Sequence, residues 1–520
     1  METSPADFEK SAVRAIADPR LQKALEAVYN GFYKNRLTAA AATDRWEEQR
    51  EQGRAIKAHV IGNLDFYLDM LATNVEKNGG RVFFAADVAE ANAYVLDLAK
   101  ARGVRTVIKS KSMVSEEMEL NHALESVGIE PVETDLGEYI IQLAKEPPYH
   151  IIAPAIHKSK EQVADLLAEQ SGGTRFERAE DLTRQAREQL RPAFQRADMG
   201  VTGVNFAVAE SGSIVIVTNE GNGRMATSAP RIHVACMGME KVIPSVRDLG
   251  LFLRILIRSA TGQRISTYVS MINGPRKPQD EDGPDEFHLV IIDNGRRRLL
   301  ADPALRESLY CIRCGACMNA CPVYRKAGGH SYGSVYSGPI GAVVTPGMTG
   351  KKSANTLPFA SSLCGACREA CPVKIDLPRM LLELRRQAME GGAEQPGDVA
   401  KLRDDGGGLK QGRDDRKSVQ DVITLAGKQR EVSRPGKKSA SLADRLMWKA
   451  WRFGMTGRGQ FDAGARLGRI VLKPFSRRGW VRRGSPFLGG WTVSRDFPLH
   501  AERSFKSRWQ KRMMGRGVPQ

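Results

Sequence analysis

With 520 residues the chain is long enough for about three domains, and 42% hydrophobic and 27% charged residues exclude a disordered or fibrous protein. The formal charge of +18 is concentrated: residues 401–520 carry 29 Lys and Arg against 10 Asp and Glu, so the rest is close to neutral and the high isoelectric point belongs to a tail. No apolar run reaches the roughly 20 residues that span a bilayer, and Met1–Lys10 has three acidic residues and no apolar signal core, which predicts a cytoplasmic protein, soluble or peripheral at the inner membrane face.

Residues 1–75 read as a helical N-terminal cap. Leu21, Ala24, Leu25 and Val28, then Ile56, Val60, Leu64, Tyr67 and Leu71, recur at helical spacing, and Asn78, Gly79 and Gly80 end the pattern. From 76 to 300 strands and helices alternate. The reading is strand Val82–Ala85, helix Asp87–Arg102, strand Thr106–Lys109, helix Ser115–Val127, strand Glu130–Val132, helix Gly137–Ala144 and strand His150–Pro154. This order predicts βαβ units and a mostly parallel sheet wrapped on both faces.

Such folds place ligands in the loops after the strands. Those loops hold Lys109, Ser110, Lys111 and Ser112; Glu133, Thr134, Asp135 and Glu138; and His157 and Lys158. The same residue types also make ordinary solvated loops. Between Gly200 and Arg224, two glycine-bearing turns carrying Glu210 and Glu220 flank a strand at Ser213–Val217, and Glu210 is the candidate catalytic acid, base or nucleophile. No G-x-G-x-x-G follows a strand and no Walker A sequence is present. A helix at Leu251–Ala260 and strands at Ser266–Met271 and His288–Ile292 complete the region.

Seven of the eight cysteines lie between 311 and 371. Cys311, Cys314, Cys317 and Cys321, followed by Pro322, read C-x2-C-x2-C-x3-C-P, the run of two-cluster ferredoxins, in which the fourth cysteine serves the other cluster. Cys364, Cys367 and Cys371, with Pro372, repeat it one thiolate short, with Ser361 where the first run has Cys311. The spacing assigns Cys311, Cys314, Cys317 and Cys371 to one [4Fe-4S] cluster and Cys321, Cys364 and Cys367 to a second. Ser361, water or a partner's ligand completes the second cluster, or it is [3Fe-4S]. Seven cysteines in two Cys-Pro runs fit a four-ligand zinc site poorly, and clustered thiols without a secretory signal fit disulfides less well. Cys236, alone in an apolar run, reads as core.

Residues 301–390 therefore read as a mainly helical two-cluster domain, closed by a helix at Pro378–Glu390. Residues 391–440 are rich in Gly, Asp, Lys and Arg and read as a flexible linker. A basic, Trp-rich C-terminal domain fills 441–520, with Trp448, Trp451, Trp480, Trp491 and Trp509. The tail reads as a strap on the body or a partner, or as a peripheral membrane contact with Trp at the boundary. Nucleic acid would use the same charge, but no binding motif accompanies it.

Three stretches, CIRCGACMNACPVY (311–324), GPIGAVVTP (338–346) and SLCGACREACPVKIDLP (362–378), resemble the lactate utilization protein B family, the iron-sulfur subunits of bacterial L-lactate utilization complexes. GVTGVNFAVAESGSIVIVTNEGN (200–222) is similar to the family's LUD domain, and WTVSRDFPLHAERSFKSRWQKR (491–512) to its C-terminal domain. The resemblance implies a NagB/RpiA/CoA-transferase-like α/β fold, the seven cysteines as ligands, and a cysteine-rich subunit and a second LUD subunit as partners in oxidising L-lactate to pyruvate. Electrons would pass on toward a cytochrome or quinone. The competing expectation is an independent enzyme acting on a hydroxy acid or thioester through Glu210.

Overall fold

Among the described residues of the main body, ten short strands form two sheets: β1 (Arg81–Ala85), β2 (Thr106–Lys109), β3 (Glu130–Glu133), β4 (Met199–Gly203), β5 (Phe206–Val208), β6 (Ser213–Thr218), β7 (Ile232–Gly238), β8 (Val242–Ile243), β9 (Tyr268–Ile272) and β10 (Glu286–Ile292). The computed structural model describes residues 5–350 and 354–390 and, further on, 449, 453, 458–477, 480–481 and 497–498. The linker expected at 391–440 lies outside the described residues, as does most of the expected C-terminal domain.

A six-stranded sheet has the order β1-β10-β7-β4-β2-β3, every pairing parallel. Its four inner strands are buried on both faces, and side chains alternate between two cores. Ala235 and Met237 of β7 and Phe287, Leu289 and Ile291 of β10 join one core; Val234, Cys236, Val290 and Ile292 join the other, where Ala91, Val95 and Ala99 of the Val88–Ala101 helix cover them. A second sheet, β8-β5-β6-β9, lies beside the first core. Strand order reverses between β2 and β4, and the crevice beyond the C-terminal ends at such a reversal is where open α/β sheets bind ligands.

The first core does not stop at the sheet. It runs through the Trp46–Gly62 and Leu64–Lys77 helices, the Val246–Ala260 helix and the buried cysteines without a break. That helix starts earlier than the sequence suggests because the Ser245 hydroxyl caps the Asp248 N–H at 3.2 Å.

Two expectations are corrected. His150–Pro154 is no strand: the His150 ring Nδ1 accepts from the N–H groups of Ile152 and Ala153 at 3.0 and 3.3 Å, folding the segment into a turn. The stretch 115–127 is two helices, Met113–Glu117 and Leu120–Glu125, broken where Glu119 takes φ 52°.

Described by itself, the second unit holds a helix at Arg458–Leu472 and three short antiparallel strands, Ser476–Arg477, Trp480–Val481 and Phe497–Pro498. Among the described residues, no helix is long and apolar enough to cross a membrane.

His233 of β7 is buried, with Nε2 2.8 Å from Thr202 Oγ1, and burial and then His288 lower its pKa to about 3. The folded state thus binds fewer protons than the unfolded chain between pH ~6.5 and 3, so stability present above ~6.5 is lost as pH falls, by about 1.4 kcal/mol per unit. His233→Gln is expected to flatten this acid arm. Urea midpoints at pH 7 and pH 5 check it; an unchanged pH dependence in the variant contradicts the assignment.

Candidate iron-sulfur centre and the adjoining crevice

The two cysteine runs fold as copies of one another. Arg313 and Leu363, each just before the second ligand position, have φ 58° and 55°, and the glycines just after it, Gly315 and Gly365, have φ 73° and 86°. Each glycine starts a one-turn helix, Ala316–Ala320 or Ala366–Ala370, and these two helices pack on each other. Cys321 and Cys371 then leave the helices in the same extended conformation, with ψ 120° in both. Glycine is required at 315 because a Cβ would lie 3.0 Å from Ile152 Cγ1 and 3.1 Å from Ile151 Cγ2 at positive φ.

The structure brings Cys311, Cys314, Cys317 and Cys371 around one apolar cavity, lined also by Ile151, Ile340 and Ile375. Cys321 stands beside Cys364 and Cys367 as a second group. All are free thiols; Cys364 is exposed and Cys311 half-buried, the rest buried. Burial pushes the Cys371 thiol up to about 11 and the Cys367 thiol up to about 12.

Backbone N–H groups aim at the sulfurs. Arg313 donates to Cys311 Sγ at 3.4 Å and Tyr324 to Cys321 Sγ at 3.5 Å. Ala316 donates to Cys314, Ala366 to Cys364, Arg368 to Cys367, and Val373 and Ile375 to Cys371. Soft thiolate donors, an apolar wall and a shell of N–H dipoles are what an iron-sulfur cluster takes as its environment. The residues present fit that group.

Charge around the two groups differs. Arg50 donates to the carbonyls of Cys371 and Glu369, at 2.8 Å from Nη2 to each, and Arg36 to Ala370 at 2.8 Å, together holding the negative end of the Ala366–Ala370 helix. Lys57, Lys241 and Arg313 face Cys311. Burial lowers Lys57 and Lys241 to about 8, which leaves both largely protonated at neutral pH. Tyr324 and Tyr332 stand by Cys321.

At the end of β2, Lys109 is fully enclosed and bonded to Glu133, to Asn121 Oδ1 at 2.6 Å and to Glu116 at 3.3 Å. Burial penalises its charge, but Glu133 and Glu116 outweigh that and hold its pKa above the ordinary lysine value. Ser112 caps the next helix and Thr134 Oγ1 donates to the Lys109 carbonyl at 2.6 Å, so these are structural. Lys111 reaches across to the Ile152 carbonyl at 2.6 Å. Glu138 Oε1 and both amide atoms of Asn222 are buried without a partner. Burial, then Glu116 and Glu133, raise the Glu138 carboxyl well above its usual range, and burial raises that of Glu220.

Glu210 lies on an exposed turn and accepts the Val246 N–H at 2.6 Å, at the start of the Val246–Ala260 helix. His157 and Lys158 both pair with Glu146, the former at 2.7 Å.

A loop at 146–158 ties the crevice to the first cysteine run. Lys111 holds Ile152, Ile151 lines the cysteine cavity, His150 Nε2 meets Asn319 Oδ1 at 2.9 Å, and Tyr324 donates to the Tyr149 carbonyl at 3.0 Å. His330 bonds the Pro147 carbonyl at 2.8 Å. Sequence reasoning missed Arg36, Arg50, Lys57 and His150 as parts of the site; each sits far from the cysteines along the chain, and no local pattern marks it.

Buried cations favour the reduced, more negative form of a nearby cluster. Lys57→Met is expected to lower the midpoint of the first site by on the order of 1 kcal/mol, about 40 mV for one electron, and to leave the second unmoved. An EPR-monitored redox titration checks this; equal shifts at both sites contradict it.

A family model for the LUD domain matches residues 68–292, one for a 4Fe-4S dicluster domain residues 307–375, and one for the C-terminal domain of lactate utilisation protein B residues 420–514. Lactate utilization protein B of Shouchella clausii (strain KSM-K16) is 41% identical over 519 residues, covering 100% of this chain and 99% of that protein. The protein of the same name from Bacillus licheniformis is 41% identical over 518 residues, covering 99% of each chain. A third, from Bacillus cereus (strain AH187), is 41% identical over 511 residues and 98% of each. A LUD domain with a parallel-sheet α/β core is thus followed by a 4Fe-4S dicluster domain, and the chain belongs to the lactate utilization protein B family.

Proposed function

We propose that the protein is the iron-sulfur electron-transfer subunit of a multi-subunit complex that oxidises L-lactate to pyruvate and so allows lactate to serve as a carbon source. The name of its relatives and the dicluster domain support the lactate and electron-transfer parts of this reading. The observation that carries it is the pair of cysteine groups around two packed helices, one of them joined through Ile151, Ile152 and Lys111 to the crevice at the β2 and β4 ends of the LUD domain.

In this reading Cys311, Cys314, Cys317 and Cys371 hold one [4Fe-4S] cluster, and Cys321, Cys364 and Cys367 hold a second. When bound, such clusters supply one-electron transfer. The chain's own residues wall the first site with apolar side chains, direct N–H dipoles at the sulfurs, and set the local charge through Lys57, Lys241 and Arg313. A cysteine-rich subunit and a second LUD subunit are the partners, and a cytochrome or quinone is the acceptor. The LUD domain is taken as NagB/RpiA/CoA-transferase-like, and the basic tail as contact for a partner or for the inner membrane face.

A second reading makes the α/β domain an independent enzyme on a hydroxy acid or thioester, with Glu210 as acid, base or nucleophile. The exposed carboxylate favours it; the hydrogen bond from Val246 gives Glu210 a structural task instead.

L-Lactate-dependent dye reduction in anaerobic extracts of cells lacking the chain separates the readings. Complementation with wild type is expected to restore activity, Cys314→Ser at equal abundance to lose it at least tenfold, and Glu210→Gln to keep it within twofold. Equal dye reduction in all extracts contradicts the lactate assignment, and loss in Glu210→Gln alone supports the second reading.

A further inference from the structure

The second cysteine group is one sulfur short, and the repeated backbone shows what stands in the missing place. In the first run the Arg313 N–H points at Cys311 Sγ, 3.4 Å away. In the second run the equivalent N–H, that of Leu363, points at Ser361 Oγ, 3.1 Å away. The residues flanking the next ligand match in φ, Arg313 with Leu363 and Gly315 with Gly365. Ser361 therefore occupies the position of Cys311 in register and in the N–H bond its side chain receives, in a loop whose following residues match in φ.

The position is also held from outside the loop. Arg385, on the Leu377–Glu390 helix, donates from Nη2 to the Ser361 carbonyl at 2.8 Å and from Nε to the Pro358 carbonyl at 2.8 Å. Two bonds from one guanidinium fix the strand of chain that presents the hydroxyl.

We propose that Ser361 Oγ is the fourth protein ligand of the second iron-sulfur site, completing Cys321, Cys364 and Cys367. Ligation breaks the Ser361 O–H bond, forms an iron–oxygen bond and releases the proton to solvent, with no change in electron count. The Leu363 N–H, already directed at Oγ, stabilises the resulting alkoxide as the Arg313 N–H stabilises the Cys311 thiolate. The shorter serine side chain, with its harder oxygen, gives the second site a donor set unlike the first.

The proposal rests on the two-cluster reading above. It is tested on the full chain with clusters reconstituted anaerobically, by EPR and hyperfine spectroscopy in water enriched in the magnetic isotope of oxygen. Wild type is expected to show no coupling to solvent oxygen. Ser361→Ala is expected to acquire that coupling at the second site and to lose one iron there faster on mild oxidation, giving a [3Fe-4S] signal, while the first site is unaltered. Ser361→Cys is expected to restore resistance to iron loss and to show no solvent coupling, which covers the case in which the alanine variant fails to assemble.

Solvent-oxygen coupling in wild type, or identical spectra and iron loss in wild type and Ser361→Ala, overturns the ligand assignment while leaving two clusters in place. Iron and sulfide sufficient for one cluster in wild type overturns the two-cluster reading itself.

Discussion

A buried ionic network at the carboxyl ends of the central strands ties the LUD sheet to the first cysteine run. Arg296 has no exposed side-chain surface, and its guanidinium bonds both oxygens of Glu117 at 2.9 and 2.8 Å and Glu240 Oε2 at 2.7 Å. Glu240, just past β7, also meets Arg313 at 3.3 Å, and its carbonyl accepts Lys57 at 2.5 Å. Arg313 lies over the Tyr336 ring at 4.3 Å, and Tyr336 donates back to Glu117 at 2.5 Å. Removing one member would strand a charge away from water, a loss of about 3–5 kcal/mol. Because Arg313 sits between two cysteines of the first run, the same network that closes the LUD sheet sets the conformation of that loop.

This constraint explains why the sheet and the cysteine region share one core. A ferredoxin-type fold of this size has little apolar interior of its own; here Cys314, Cys317, Cys321, Cys367 and Cys371, with Ile312 and Met318, are buried with Phe252, Ile255 and Leu289 of the α/β part. The Cβ of Gly53, if present, would lie 2.8 Å from Ile255 Cδ1, so the cap helix approaches the Val246–Ala260 helix closely enough for Arg50 and Lys57 to reach past it. The helical cap thereby becomes part of the surroundings of the first cysteine group.

What was legible in the sequence was whatever is encoded locally. The parallel α/β class came from alternating periods, and the cysteine register from spacing that wraps a loop around a small object. The turn at 150–154 has the composition of a strand, and only the His150 ring, bonding back to Ile152 and Ala153, decides otherwise. Lys109 and Glu133 read as possible ligand contacts, yet they neutralise each other in the interior. Arg36, Arg50 and Lys57 carry no signal in the sequence, because nothing within a few residues of them reveals that they reach carbonyls more than a hundred positions away.

The central claim, that electrons from L-lactate pass through the cysteine groups of this chain, is tested most directly by rapid-freeze EPR. The anaerobic complex, containing this chain and its partner subunits, is mixed with L-lactate and frozen at successive times. The account predicts that reduced-cluster signals assigned to this chain, by their shift in the Lys57→Met protein, rise no later than pyruvate and decay when acceptor is added. Pyruvate formation with those signals absent throughout, in a complex whose clusters dithionite can reduce, would contradict it.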